Sequence, residues 1–303
     1  MSRVFITGAS GFAGTHLVAA CESAGDEVVP APPSSSADLR DPAVARSLVA
    51  DARPDVVYHL AARAHVGQSW DDPLGTLAAN VAVTANVLDA VRFEAPDAVF
   101  VSVGSGEEYG PPETVPTTED HPLRPQNPYA VSKASGGLAA RFYADAYGLR
   151  VVHARAFNHS GPGQEPIYAI AAFAQQIARG LDAGEDPIRI ETGNADTRRD
   201  YTDVRDIVRA YRLLAEHGSP GEVYNVCSGV TRSARELVAG LGEIAGVAVD
   251  HVVDPARVRA HEVMEIRGDA SKLRGATGWE PAIPIDQTLA DLLDDQRARV
   301  AAG

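Results

Sequence analysis

Val4-Phe5-Ile6-Thr7-Gly8-Ala9-Ser10-Gly11-Phe12-Ala13-Gly14 runs from a short apolar strand through a turn of three glycines into a helix. Glycines at 8, 11 and 14 let the backbone turn tightly and bring amide hydrogens and a helix N-terminus up to a pyrophosphate. The commoner spacing for that task is Gly-x-Gly-x-x-Gly, so the stretch alone also fits a purely structural turn. Its place between a strand and a helix favours a dinucleotide site, with Gly8, Gly11, Phe12 and Gly14 against the ligand.

Working outward, short apolar runs recur at 27–29, 56–60, 98–103 and 151–154, as expected of strands buried on both faces. Helices are expected between them. Asp41-Pro42, Asp72-Pro73 and Asn127-Pro128 each pair a capping residue with proline at the first helical position. Further on, Ile170, Phe173, Ile177 and Leu181 keep helical spacing, as do Val204, Ile207, Tyr211 and Leu214, and Ser233 with Glu236 forms a capping box. The pattern predicts an α/β fold: a Rossmann-like, doubly wound parallel sheet with a smaller, mixed α/β lobe. Residues 1–160 make the dinucleotide-binding domain, with 192–217 returning to it, while 161–191 and 218–303 make the smaller lobe. Substrate is expected in the cleft between them.

A net charge of -14 works against unspecific attraction to nucleic acid or anionic lipid, so neither is expected as a partner. An anionic small ligand then needs local arginines, which Arg198-Arg199 and Arg257 with Arg259 supply. Cys21 and Cys227 are too few for a disulfide framework and fit a cytoplasmic protein with reduced thiols. No run approaches the roughly 18 uninterrupted apolar residues of a membrane span, and the glycine-broken N-terminus does not read as a signal peptide. The histidines show no recognisable metal-ligand spacing, so no metal is expected.

After the second strand, an acidic residue would point to NAD and an arginine to the extra phosphate of NADP. The chain instead reads Pro30-Ala31-Pro32-Pro33-Ser34-Ser35-Ser36, whose serines tilt the reading to NADP(H) over NAD(H). Asp38 and Leu39 are placed at the adenine. Leu60, Ala61 and Ala62 let a cofactor lie close to the sheet, although loop and core packing would use the same residues.

Tyr129 and Lys133 stand four apart just inside the helix opened by Asn127-Pro128 and so share a face. A lysine ammonium beside a phenol stabilises phenolate and lowers its pKa, which suits proton transfer to or from a carbonyl or carbinol oxygen. The same ammonium can hold the nicotinamide ribose. Ser105 follows the fourth strand, at the sheet edge where such folds bind ligands, and its hydroxyl can bond the reacting oxygen.

With these motifs in hand, the chain resembles the extended short-chain dehydrogenase/reductase family. Within it, the similarity is greatest to GDP-4-keto-6-deoxymannose reductases and the related GDP-mannose 4,6-dehydratases. The segments that carry it are Gly104-Ser105-Gly106-Glu107-Glu108-Tyr109-Gly110, Leu123-Arg124-Pro125-Gln126-Asn127-Pro128-Tyr129, Phe157-Asn158-His159-Ser160-Gly161-Pro162-Gly163, Arg199-Asp200-Tyr201-Thr202-Asp203-Val204 and Tyr224-Asn225-Val226. The resemblance implies a catalytic group of Ser105, Tyr129 and Lys133. It also implies Glu107 at the sugar, Asn158, Arg199, Arg259 and Glu262 around the nucleotide diphosphate and its ribose, and Asn80 as a structural asparagine.

Family dehydratases use a glutamate at the position of Glu107 as base, but follow the hydroxyl residue with Asp or Ser where this chain has Gly106. The expected reaction is therefore reduction of the C4 ketone of GDP-4-keto-6-deoxymannose to a GDP-6-deoxyhexose such as GDP-rhamnose. Dehydration of GDP-mannose, 4-epimerisation of a nucleotide sugar and a non-catalytic cofactor sensor are the alternatives. Relatives pair as homodimers through the helices carrying Tyr129 and starting at Asp72-Pro73, here offering Leu138, Phe142, Leu77, Val81 and Leu88.

Overall fold

The computed structural model describes residues 1–258 and 263–302. Its first half alternates β1 (Arg3–Thr7), α1 (Phe12–Ser23), β2 (Glu27–Pro30), α2 (Pro42–Ala52), β3 (Val56–His59), α3 (Val66–Asp71), α4 (Pro73–Glu94), β4 (Val99–Ser105), α5 (Pro128–Tyr147) and β5 (Arg150–Ala156). A 3-10 turn over Gly106–Tyr109 follows β4 directly. Strand side chains alternate between two cores, as the period of two requires: Val4 and Ile6 pack on one face while Phe5 packs on the other, and Val99 and Val101 oppose Phe100.

The second half holds β6 (Asn158–Ser160), α6 (Ala169–Ala183), β7 (Ile188–Thr192), β8 (Arg198–Asp203), α7 (Val204–His217), β9 (Val223–Val226), β10 (Thr231–Ser233), α8 (Ala234–Ala245), β11 (Val249–Val253), β12 (Glu265–Ile266), α9 (Ser271–Thr277) and α10 (Ile285–Ala301). The main sheet is six parallel strands in the order β2-β1-β3-β4-β5-β9. Helices α1 and α7 cover one face and α2, α4 and α5 the other. Strand order reverses between β1 and β3, so the crevice beyond their carboxyl ends is the place such a sheet offers a ligand.

The sequence reading assigns 218–303 to the smaller lobe, whereas β9 pairs with β5 and completes the main sheet. A four-residue apolar run carries no sign of which strand it will join. The remaining strands form a small sheet of β6, β8, β10 and β12 and a parallel β7–β11 pair, with α6, α8 and α10 sharing a third core. That core takes the helical stripe of Ile170, Phe173 and Ile177.

The expected caps form. Asp41, Asp72 and Asn127 accept from the amides of Ala43, Gly75 and Ala130 at 2.8, 2.9 and 2.7 Å, and the Ser233–Glu236 box closes in both directions. By length and composition α4 is apolar enough to cross a membrane, yet Asn80, Thr84, Val87, Leu88 and Val91 on it are buried. Leu88, offered by its spacing to a subunit face, lies wholly in the core, while Leu138 and Phe142 of α5 are exposed.

Candidate active site

Gly8 adopts φ +73°, a left-handed conformation that strains any residue with a Cβ, and its carbonyl accepts from Gly11 N at 3.0 Å. A Cβ at Gly8 would also stand 2.8 Å from Ala61 N, so the glycine turn rests directly on the second residue after β3. A Cβ at Gly14 would run into the carbonyls of Gly8 and Ala9. Gly11 occupies the N-cap of α1 with no side chain capping it, leaving the first-turn amides to face a ligand. Such a cradle fits the pyrophosphate of a dinucleotide.

The cradle opens into a cavity of about 880 Å³. Gly8, Gly11, Phe12, Gly14, Asp38, Leu39, Leu60, Ala61 and Ala62 all line it, as do Ser105, Glu107, Tyr129, Lys133 and Asn158. Residues taken from both halves of the sequence argument thus share one space. Arg40 lines it too, its guanidinium bound to Asp38 at 2.6 Å, which holds that carboxyl low, at about 2. The sequence pattern points to Asp38 and Leu39 here but not to this arginine, the next residue along.

At the corner where the expected catalytic residues meet, β4 delivers Ser105, and α5 delivers Tyr129 and Lys133. Tyr129 and Ser105 are joined by a side-chain hydrogen bond. Lys133 Nζ donates to Val103 O at 2.8 Å and lies 5.9 Å from the Tyr129 ring centre. Burial brings the Lys133 ammonium down to about 8, partly offset by the charge of Glu108. Burial also raises the Tyr129 phenol above its ordinary range, against the bond from Ser105 and with the nearby Glu107 and Glu108. The expected lowering of the tyrosine by the lysine is thus not met: burial dominates, and Tyr129 is a protonated phenol at neutral pH.

Glu107 Oε2 accepts from Asn127 Nδ2 at 3.0 Å, tying the 3-10 turn to the cap of α5. Asn80 binds Ser132 Oγ at 2.8 Å and accepts from Arg63 N at 2.7 Å, joining α4, α5 and the segment after β3. Asn158 bonds to Tyr201, another cavity residue. Arg199 stands on β8 with its guanidinium on the carbonyls of Arg198 and Val263, each at 2.9 Å, and does not line the cavity. Arg259 and Glu262 lie outside the described residues.

Three tyrosines of the wall are not among the expected site residues: Tyr168, Tyr201 and Tyr211. Tyr201 follows Arg199-Asp200 in a quoted motif, but only the fold turns it inward. Gly106, the departure from the dehydratase pattern, has a physical cause here, since a Cβ there would meet the Phe157 ring at 3.1 Å. A polar side chain in that position needs Phe157 to move.

Known proteins similar to this chain place it in a family. Residues 34–292 match the family model described as GDP-mannose 4,6 dehydratase. The chain is 40% identical to the GDP-6-deoxy-D-mannose reductase of Pseudomonas aeruginosa over 98% of both chains. It is 30% identical to the UDP-glucose 4-epimerase of Mycolicibacterium smegmatis over 96% of this chain and 97% of that one. Among solved structures, RMD from Pseudomonas aeruginosa in complex with NADPH superimposes with a TM-score of 0.91 at 38% identity, covering 99% of this chain and 100% of the other.

Proposed function

The chain belongs to the GDP-mannose 4,6-dehydratase family, and from that premise we propose that it is a reductase of the C4 ketone of GDP-4-keto-6-deoxymannose, yielding a GDP-6-deoxyhexose such as GDP-rhamnose. The observation that carries the reading is the meeting of Tyr129, bonded to Ser105, with Lys133 and the glycine cradle in one cavity. Reduction of a ketone needs an acid at the oxygen, and a phenol raised by burial holds its proton until the oxygen becomes basic. The glycine cradle would hold a reduced nicotinamide dinucleotide, which would supply the hydride. Ser105 orients the carbonyl, and Lys133 bears its positive charge beside the phenol.

Elimination of water is less well served. Glu107 offers a base, but Gly106 supplies no acid for the leaving hydroxyl, and a side chain there would press on the Phe157 ring. NADP(H) is the proposed cofactor form: Ser34, Ser35 and Arg40 line the cavity, and a guanidinium suits a ribose phosphate. The complex of the similar structure with NADPH supports the same choice. Exposed Leu74, Leu138, Phe142 and Tyr147 support a homodimer through α4 and α5, measurable by light scattering.

The test gives purified protein either GDP-mannose or its 4-keto-6-deoxy derivative while nicotinamide absorbance is followed. Loss of reduced cofactor with the keto sugar alone is expected. A 4-keto product formed from GDP-mannose without added cofactor would overturn the reductase reading. Interconversion of two sugars without net cofactor use would replace it with an epimerase.

A further inference from the structure

We propose that Glu108, a residue behind the cavity wall that touches neither substrate nor cofactor, is the positioning residue of the catalytic corner: its carboxylate locks the backbone of Ser105 and acts as the buried counter-charge of the Lys133 ammonium. The inference rests on the functional reading above and concerns the same site.

Glu108 is fully buried and does not line the cavity. Its Oε1 accepts from Ser105 N at 2.8 Å while Ser105 Oγ accepts from Glu107 N at 3.2 Å, so serine and glutamate close a capping box around the 3-10 turn. The box fixes where Ser105 stands at the end of β4. The carboxylate tucks against the strand only because residue 104 is glycine: a Cβ there would collide with Glu108 Oε1 and His153 Nε2. Two residues back on the same strand, Val103 O receives Lys133 Nζ at 2.8 Å. The backbone that holds the ammonium is thus the backbone that the glutamate clamps.

From behind, Arg155 donates from Nε to Glu108 Oε2 at 2.8 Å and from Nη1 to Tyr109 Oη at 3.0 Å, while His153 Nε2 lies 3.2 Å from Oε1 with its Nδ1 on Ser102 Oγ. A buried carboxylate so satisfied stays ionised, held down to about 2 by His153, Arg155 and the Ser105 amide against the push of burial. Among the described residues, the other groups facing Lys133 offer no such charge. His59 of β3, bonded between Thr7 and Thr84 hydroxyls, is kept neutral by burial, and Tyr129, with Tyr211 of α7 beyond it, is a protonated phenol. Glu107 lies in the cavity wall with its carboxylate on Asn127, and the charge that bears on Lys133 is that of Glu108.

The chain makes the test direct, because Lys133 and Lys272 are its only two lysines. Protein labelled with [ε-13C]lysine gives two side-chain signals, and K272R identifies Lys133. The wild-type midpoint is expected near 8, and in E108Q, which keeps an acceptor for Ser105 N, it falls by about 1 unit. E108D keeps the charge and holds the midpoint near the wild-type value. Should E108Q strand Arg155 and unfold, E108Q/R155M removes both charges and reads the same midpoint. An unmoved Lys133 midpoint in the folded neutral variant overturns the proposal. Failure of the wild type to reduce the keto sugar would strike the functional reading while leaving this titration to be judged by itself.

Discussion

The glycine cradle and the catalytic corner share one cavity and are built on opposite plans. The cradle is backbone: Gly8, Gly11 and Gly14 work by what they lack, and Ala61 and the carbonyls of Gly8 and Ala9 stand where their side chains would be. The corner is side chain: Ser105, Tyr129 and Lys133 lie over a buried layer of Glu108, Arg155 and His153. Sterics govern the first and desolvation the second. A cradle of this kind fails by a methyl group, whereas the corner fails by a charge or a proton.

The largest effect should come from the corner. Tyr129→Phe removes the acid and is expected to lower kcat by about 10²–10⁴-fold while cofactor affinity, measured by fluorescence titration, stays within a few-fold. Equal turnover in the variant would take the proton-donor role from Tyr129. In the cradle, Gly8→Ala meets both a positive φ and the Ala61 backbone, so urea unfolding should show a loss of about 1–3 kcal/mol together with weakened cofactor binding. A variant that binds cofactor normally would mean the turn is not the pyrophosphate site.

Between these lies a pH effect that belongs to the corner alone. With Lys133 brought down to about 8, its charge is present below that pH and lost above it, so kcat/KM for the reduced cofactor should fall as pH rises through about 8. The uncharged cradle predicts no such limb, and a flat profile to pH 9 would remove Lys133 from cofactor binding. Smallest is Asn127→Ala, which deletes the α5 cap and the Glu107 contact: about 1 kcal/mol of stability by thermal unfolding and a few-fold in kcat.

The same contrast explains what could be read from the sequence. Glycine spacing, proline-marked caps and a Tyr-x-x-x-Lys helix are local patterns, and the structure brings their residues into one cavity. Quantities set by distant chain were not legible. Burial decides that Tyr129 goes up rather than down, and long-range pairing puts Val223–Val226 in the main sheet. Leu88 and Leu138 look alike in a helical pattern, but one is core and the other surface. Arg40 reaches the cavity beside Asp38 and Leu39, a placement that no local pattern marks. Glu108 did carry a signal, the Ser-x-x-Glu spacing from Ser105, but no apolar helix follows to draw attention to it.

The central claim is that this corner adds hydride and proton to C4 of a keto sugar. The most direct measurement incubates the protein with GDP-4-keto-6-deoxymannose and NADPH dideuterated at the nicotinamide C4, then reads the product sugar by NMR. One deuterium at C4 of a GDP-6-deoxyhexose, formed in step with cofactor oxidation, is the predicted result. A product without deuterium at C4, or sugar conversion with the cofactor unspent, would contradict it.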